Sequence, residues 1–311
     1  MNYYDFLETP VGRTLHKMPF QTLRRAMSTA GRFGLVKDCD FVADVMEATG
    51  VANGREAKRL AAEVDAAQAG VYADLGLMMH GKWDRVQRHL IDRVEVEGRE
   101  ILEALRGKPY MIISAHFASF YLGALMPGLF DPVTIIRRFH SEGRDALMER
   151  LCSQTGQDLE VIGLTDPSVG PKIISRVRKG RPVAAMIDYF YEDTSLFLAP
   201  FMGREAATPA GIPSIAVRMK LPLVPVIVLR TADGGYRVTI SEPLRAPDEG
   251  DQTERTFALA CAMNGWLETQ VRAHPEQWTF WPSLPRRWSY AESFDEHEQV
   301  EPAVAGEATV A

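Results

Sequence analysis

At 311 residues, 46% of them hydrophobic and 24% charged, the chain is long and apolar enough to bury a sizeable core, and no linker or repeat forces it into separate units. Its net charge of −6 carries no broad basic face, which argues against binding a nucleic-acid backbone, so no nucleic-acid partner is expected. Cys39, Cys152 and Cys261 lack metal-ligand or redox spacing and read as reduced structural thiols; no export signal and no apolar run of about 18 residues is present, so a cytoplasmic chain without a spanning helix is expected.

The N-terminus is locally basic: through Val36, Arg13, Lys17, Arg24, Arg25 and Arg32 face only Asp5 and Glu8. Leu15, Phe20, Leu23, Met27, Ala30 and Gly34 fall near helical spacing, with Arg24, Arg25 and Arg32 on other faces and Pro19 interrupting the pattern. Two readings stay open: an amphipathic helix on an anionic membrane, or a helix whose apolar stripe packs on its own domain. Residues 39–90 continue with helical periodicity, giving a helical N-terminal region over 1–90.

After that region, short β-like runs alternate with helical stretches. The runs are Pro109–Ser114, Val133–Ile136, Pro182–Ile187, Leu221–Leu229 and Tyr236–Ile240. Such alternation predicts an α/β fold with a largely parallel central sheet flanked by helices, assigned to residues 91–288. From Ser289 onward there are six acids and no Lys or Arg, so 289–311 reads as an acidic disordered tail.

His116 follows the apolar run Met111–Ile113 and precedes a helix-like segment, Phe117–Leu129, which places it at a strand-to-helix turn. An imidazole there can take a proton from an alcohol or amine near neutral pH. A histidine at a strand end is also a common hydrogen-bonded structural group. Ser114 and Ser119 flank it outside any Gly-x-Ser-x-Gly elbow, which disfavours a serine hydrolase, and there is no zinc-ligand spacing, P-loop or dinucleotide fingerprint. Thr208 is placed as an N-cap and Pro209 in the first turn of a helix towards Met219, with Arg204 beside that anion-attracting terminus. A surface turn with an ordinary cap fits the same residues.

Val94-Glu-Val-Glu-Gly98, Ile112-Ile-Ser-Ala-His-Phe117, Arg137, Gly203–Gly211, Pro222-Leu-Val-Pro-Val226 and Pro275-Glu-Gln-Trp278 occur in a telling order and spacing. As a set they resemble the lauroyl/myristoyl lipid A acyltransferase branch of the lysophospholipid acyltransferase superfamily, over roughly residues 65–285. The resemblance implies transfer of a fatty acyl group from an acyl carrier protein or coenzyme A thioester to a hydroxyl or amine of a lipid-like or specialised-metabolite acceptor. It implies no bound cofactor, the thioester being a co-substrate, and contact with the cytoplasmic face of the inner membrane. His116 would be the general base, with Arg137, Arg204, Ser119 and Thr208 binding substrate; Trp278 and its neighbours are read as packing.

In that family an Asp or Glu follows the histidine after four intervening residues and orients the imidazole. Here the position is Tyr121. Three consequences are open. Asp188, at a strand end where the family commonly carries Asp, replaces the missing acid, with Glu192 and Asp193 less well placed; or Tyr121 itself fixes the tautomer; or acyl transfer is lost and a lipid-binding or scaffolding role remains.

Overall fold

The computed structural model describes residues 6–33, 39–123, 129–130, 132–138, 142–191 and 194–292. Seven strands form the central sheet: β1 (Val94–Glu97), β2 (Met111–Ser114), β3 (Val133–Arg137), β4 (Leu159–Gly163), β5 (Val183–Met186), β8 (Leu223–Arg230) and β9 (Tyr236–Ile240). Their order is β1-β9-β8-β2-β5-β3-β4. All neighbours pair in parallel except β8 with β9. A separate antiparallel hairpin joins β6 (Leu196–Phe201) to β7 (Arg204–Pro209). The expected largely parallel sheet flanked by helices is what the chain forms.

The strand period explains how both faces are covered. Met111 and Ile113 of β2, with Leu223, Ile227 and Leu229 of β8, enter one apolar cluster; Ile112, Val224, Val226 and Val228 enter the other. On the first face pack the helices Cys39–Ala48, Gly211–Met219 and Gln252–Ala273; on the second, the C-terminal half of Gly54–His80. The two clusters draw residues from before and after residue 90, so the N-terminal helices share the core with the sheet.

The helix Phe20–Arg32 starts after Pro19 and packs lengthwise on Gly54–His80, burying Phe20 and Leu23. Gly31 permits the approach, since a Cβ there would stand 2.5 Å from the Asp65 carbonyl oxygen. Arg24, expected on a polar face, is instead buried; its Nη1 donates to the Gly234 carbonyl at 2.7 Å. Gly34 and Val36 lie outside the described residues. No helix among those described is long and apolar enough to cross a membrane. The last helix, Leu284–Glu292, runs through the start of the expected tail, and 293–311 lie outside the described residues.

Candidate active site

Because β2, β3, β4, β5 and β8 run in parallel, their carboxyl ends share one edge of the sheet, and the chain leaves β2 and β5 side by side. Ile187 N–H donates to the Ser114 carbonyl at 3.0 Å, extending the ladder one residue beyond β5. Asp188 and His116 then meet across the gap. His116 backbone N–H donates to Asp188 Oδ2 at 2.7 Å, and His116 Nδ1 lies 2.7 Å from Asp188 Oδ1. Asp188 is wholly buried, while the His116 side chain keeps 21% of its surface exposed.

A third donor reaches the carboxylate: Trp278 Nε1–H donates to Oδ2 at 3.0 Å. Burial, the largest influence on Asp188, pushes its carboxyl up. The charge of His116, the bonds from its ring and backbone, and the indole N–H together outweigh burial and hold the group below its ordinary value. An ionised carboxylate only accepts, so the proton between the two residues sits on Nδ1, and the ring's other nitrogen, Nε2, is the one whose lone pair can take a proton.

The segment after the helix Gln252–Ala273 closes over this turn. Phe117 and Trp278 form an antiparallel bridge, and Ala118 N–H donates to the Gln277 carbonyl at 2.9 Å. Thr279 donates to the His116 carbonyl from its backbone at 3.0 Å and from Oγ1 at 2.6 Å. Phe280 stacks on the imidazole, with centroids 4.0 Å apart and planes 18° from parallel, and Phe120 meets it edge-on at 4.8 Å. Two aromatic rings thus wall the base. Trp278, Thr279 and Phe280, which the sequence reading left as packing, touch the dyad directly.

Tyr121 does not fix the imidazole. Its side chain turns into the core, where the hydroxyl donates to Asp74 Oδ2 at 2.8 Å, and Arg230 Nη2 donates to the same oxygen at 2.8 Å. Asp74 is wholly buried, and the Arg230 side chain is 10% exposed. Burial, reinforced by the Asp74 charge, raises the Tyr121 hydroxyl well above its ordinary value, so it stays protonated as a donor. The Gln277 side chain also clamps the Arg230 backbone, accepting its N–H at 2.8 Å and donating to its carbonyl at 3.1 Å.

The substrate-binding candidates disperse. Arg137 ends β3; extending the strand register puts it level with Met186 and Ser114, two strands or about 10 Å from β2. Its guanidinium pairs with Asp145. Ser119 is wholly buried, and its hydroxyl has no hydrogen-bond partner among the described residues. Thr208 is not an N-cap, nor does Pro209 open a helix: both belong to β7, because β6 offers Ala-rich β7 a full antiparallel ladder, and the helix starts at Gly211 after Ala210. Thr208 Oγ1 instead accepts from Asn264 Nδ2 at 2.8 Å. Arg204 therefore stands a strand's length, about 20 Å, before that helix, with its guanidinium 4.7 Å over the Trp288 ring. The helix after His116 is described over Phe120–Gly123; residues 124–128 lie outside the description, as do Glu192 and Asp193. Among the described residues no group of His, Cys, Asp and Glu is placed to hold a metal ion.

The family model described as bacterial lipid A biosynthesis acyltransferase matches residues 1–289. A lipid A biosynthesis palmitoleoyltransferase of Escherichia coli strain K12 and a lipid A biosynthesis acyltransferase of Shigella flexneri are each 27% identical over 190 residues. The match takes in 59% of this chain and 58% of each relative, so the chain spans under two thirds of their length. Among solved structures, the 1-acyl-sn-glycerophosphate acyltransferase PlsC from Thermotoga maritima aligns with a TM-score of 0.37 and 13% identity, covering 74% of this chain and 88% of that one.

Proposed function

The chain belongs to the bacterial lipid A biosynthesis acyltransferase family, and we propose that it moves a fatty acyl group from an acyl carrier protein or coenzyme A thioester to a hydroxyl or amine of a lipid-like acceptor, with His116 as general base and Asp188 as the carboxylate that orients it. The observation that carries this reading is the 2.7 Å contact between His116 Nδ1 and Asp188 Oδ1, in a chain whose usual acid position is Tyr121. A carboxylate has been supplied from a neighbouring strand end.

In the proposed reaction Nε2 removes the acceptor's proton as its oxygen or nitrogen attacks the thioester carbonyl carbon. The new C–O or C–N bond forms, the carbonyl oxygen takes the negative charge, and on collapse the C–S bond breaks; the thiolate leaves with the proton from the imidazolium. No covalent acyl-enzyme is needed. Asp188 stabilises the imidazolium formed midway, and the Phe280 face adds a cation–π contribution.

Arg138, 4.1 Å over the Tyr191 ring, and Arg286, whose Nη1 donates to Tyr189 Oη at 3.3 Å, bracket an aromatic wall beside Asp188. Contact with a membrane surface is supported by exposed Val11, Met18 and Phe33 interspersed with exposed Lys17 and Arg25. The test is transfer of labelled acyl groups from a panel of acyl carrier protein and coenzyme A thioesters to extracted lipids, with His116→Ala alongside. Product that requires His116 supports the reading; a chain inert with every donor and acceptor overturns it in favour of lipid binding.

A further inference from the structure

Arg287 lies in the helix Leu284–Glu292 and is 1% exposed. Its Nε donates to the Ala207 carbonyl at 3.0 Å, and its Nη2 to Thr208 Oγ1 and Asn264 Oδ1, each at 3.3 Å. These acceptors are neutral, and no carboxylate lies within 4.0 Å among the described residues. Nη1 is buried without a hydrogen-bond partner among them. A guanidinium so placed is costly to keep unless some acid at longer range benefits.

Aromatic rings lead to that acid. The Arg287 guanidinium carbon stands 4.5 Å over the Phe201 ring, Phe201 meets Trp278 edge-on at 6.1 Å, and Trp278 Nε1–H donates to Asp188 Oδ2. Both groups are buried, Arg287 at 1% and Asp188 at 0% exposure, and a Coulomb interaction between buried groups is screened less than one at a surface. We infer that Arg287 is a positioning residue for the proposed acyl transfer, its buried charge holding the His116–Asp188 pair as ionised carboxylate and neutral imidazole. Burial pulls the Arg287 guanidinium down to about 10, and the Asp188 charge acts against that fall.

The remaining neighbours do not substitute for it. The helix Gln252–Ala273 faces Arg287 with Asn264, and its Glu268 is engaged by Arg272 and the Met202 N–H. The hairpin presents the Ala207 carbonyl and Thr208; Arg204 stacks separately on Trp288. Arg286, next in the chain, reaches the Tyr189 hydroxyl and is exposed to water.

The inference rests on the proposed function, but its decisive readout needs no substrate. The apparent titration of the His116–Asp188 pair is followed by imidazole ¹⁵N NMR in wild type, Arg287→Gln, Arg287→Lys and Thr208→Val, beside thermal melting and, where activity is found, the pH dependence of kcat/KM. Removing a nearby cation favours the protonated pair, so in R287Q the titration moves to higher pH by on the order of one unit, and the acid limb of kcat/KM moves with it. R287K keeps the charge but not the planar fork, and T208V loosens the anchor alone; both melt at lower temperature yet titrate within about 0.3 unit of wild type. An unmoved titration in R287Q, or one equally displaced in R287K, overturns the inference. If R287Q does not fold, Arg287→Met, which keeps the apolar stem and removes the charge, takes its place: a titration displaced to higher pH supports the charge role, and an unmoved one refutes it. A chain inert with every donor leaves these NMR outcomes readable, so failure of the acyl-transfer reading is told apart from failure of this one.

Discussion

Replacing Asp188 with asparagine keeps the side chain's shape while changing what it can accept. The carboxylate receives three donors: His116 N–H and Trp278 Nε1–H on Oδ2, and His116 Nδ1–H on Oδ1. An amide has one oxygen. Setting that oxygen at the Oδ2 position satisfies two donors, whereas setting it at Oδ1 satisfies one and turns the NH₂ towards two others. The first arrangement wins by about one buried hydrogen bond, on the order of 1–3 kcal/mol. It turns the NH₂ towards His116 Nδ1, which must then accept, so the imidazole proton moves to Nε2 and the base is lost. The expected fall in kcat is the contribution of a positioned general base, about 10²–10⁴-fold, or roughly 3–5 kcal/mol of barrier. Steady-state transfer near neutral pH, comparing wild type, D188N and H116A, measures it. D188N within about threefold of wild type, beside an inert H116A, would refute the claim that Asp188 sets the tautomer.

Four further outcomes follow from the same contacts. The depressed folded value of Asp188 means that the stability it contributes is fully present above the ordinary carboxylate value of about 4 and is lost as pH falls through its lower folded value. Acid melting of D188N is therefore flatter than that of wild type below about pH 4. Trp278→Phe keeps the ring but removes one donor to Asp188, and kcat is expected to fall about tenfold, in line with a charge-assisted hydrogen bond; unchanged kinetics would mean that the indole only packs. Tyr121→Phe strips a donor from buried Asp74 and costs about 1–3 kcal/mol in a denaturant melt, with kcat within a few-fold of wild type. Arg230→Met leaves Asp74 charged and buried and costs about 3–5 kcal/mol, whereas the double variant Asp74→Leu/Arg230→Met loses less than the two single changes summed.

The central strands were readable because burial on both faces leaves near-continuous apolar runs, as in Met111–Ile113 and Leu223–Leu229. Not among the runs read as strands are β1, β4 and the β6–β7 hairpin. β4 is an edge strand whose Glu160 interrupts the run, and the hairpin carries Pro200 and Pro209 and turns through Met202 and Gly203, both with positive φ. The apolar stripe of Phe20–Arg32 was legible, but not that Arg24 would bury beneath it, because an arginine's stem packs like a hydrocarbon. At the site, His116 at a strand end and Asp188 at another were visible as separate residues. Their meeting depends on β5 inserting between β2 and β3, a crossover that spacing along the chain does not encode. Trp278 joins them from 90 residues beyond Asp188. The aromatic residues of 278–281 did carry a signal, since three rings in four residues are unusual for a mere connection.

The bridge between Phe117 and Trp278 ties the timing of the site to the ribosome. A chain emerging N-terminus first has His116 and Asp188 available long before the stretch that supplies the indole donor, the Thr279 bonds and the Phe280 face. Until that stretch arrives, the carboxylate has an unfilled acceptor and the imidazole an open flank. A poised base is thus a property of a polypeptide made at least through Phe280, and chains halted before residue 278 would carry both members of the pair without the surroundings that hold them ready.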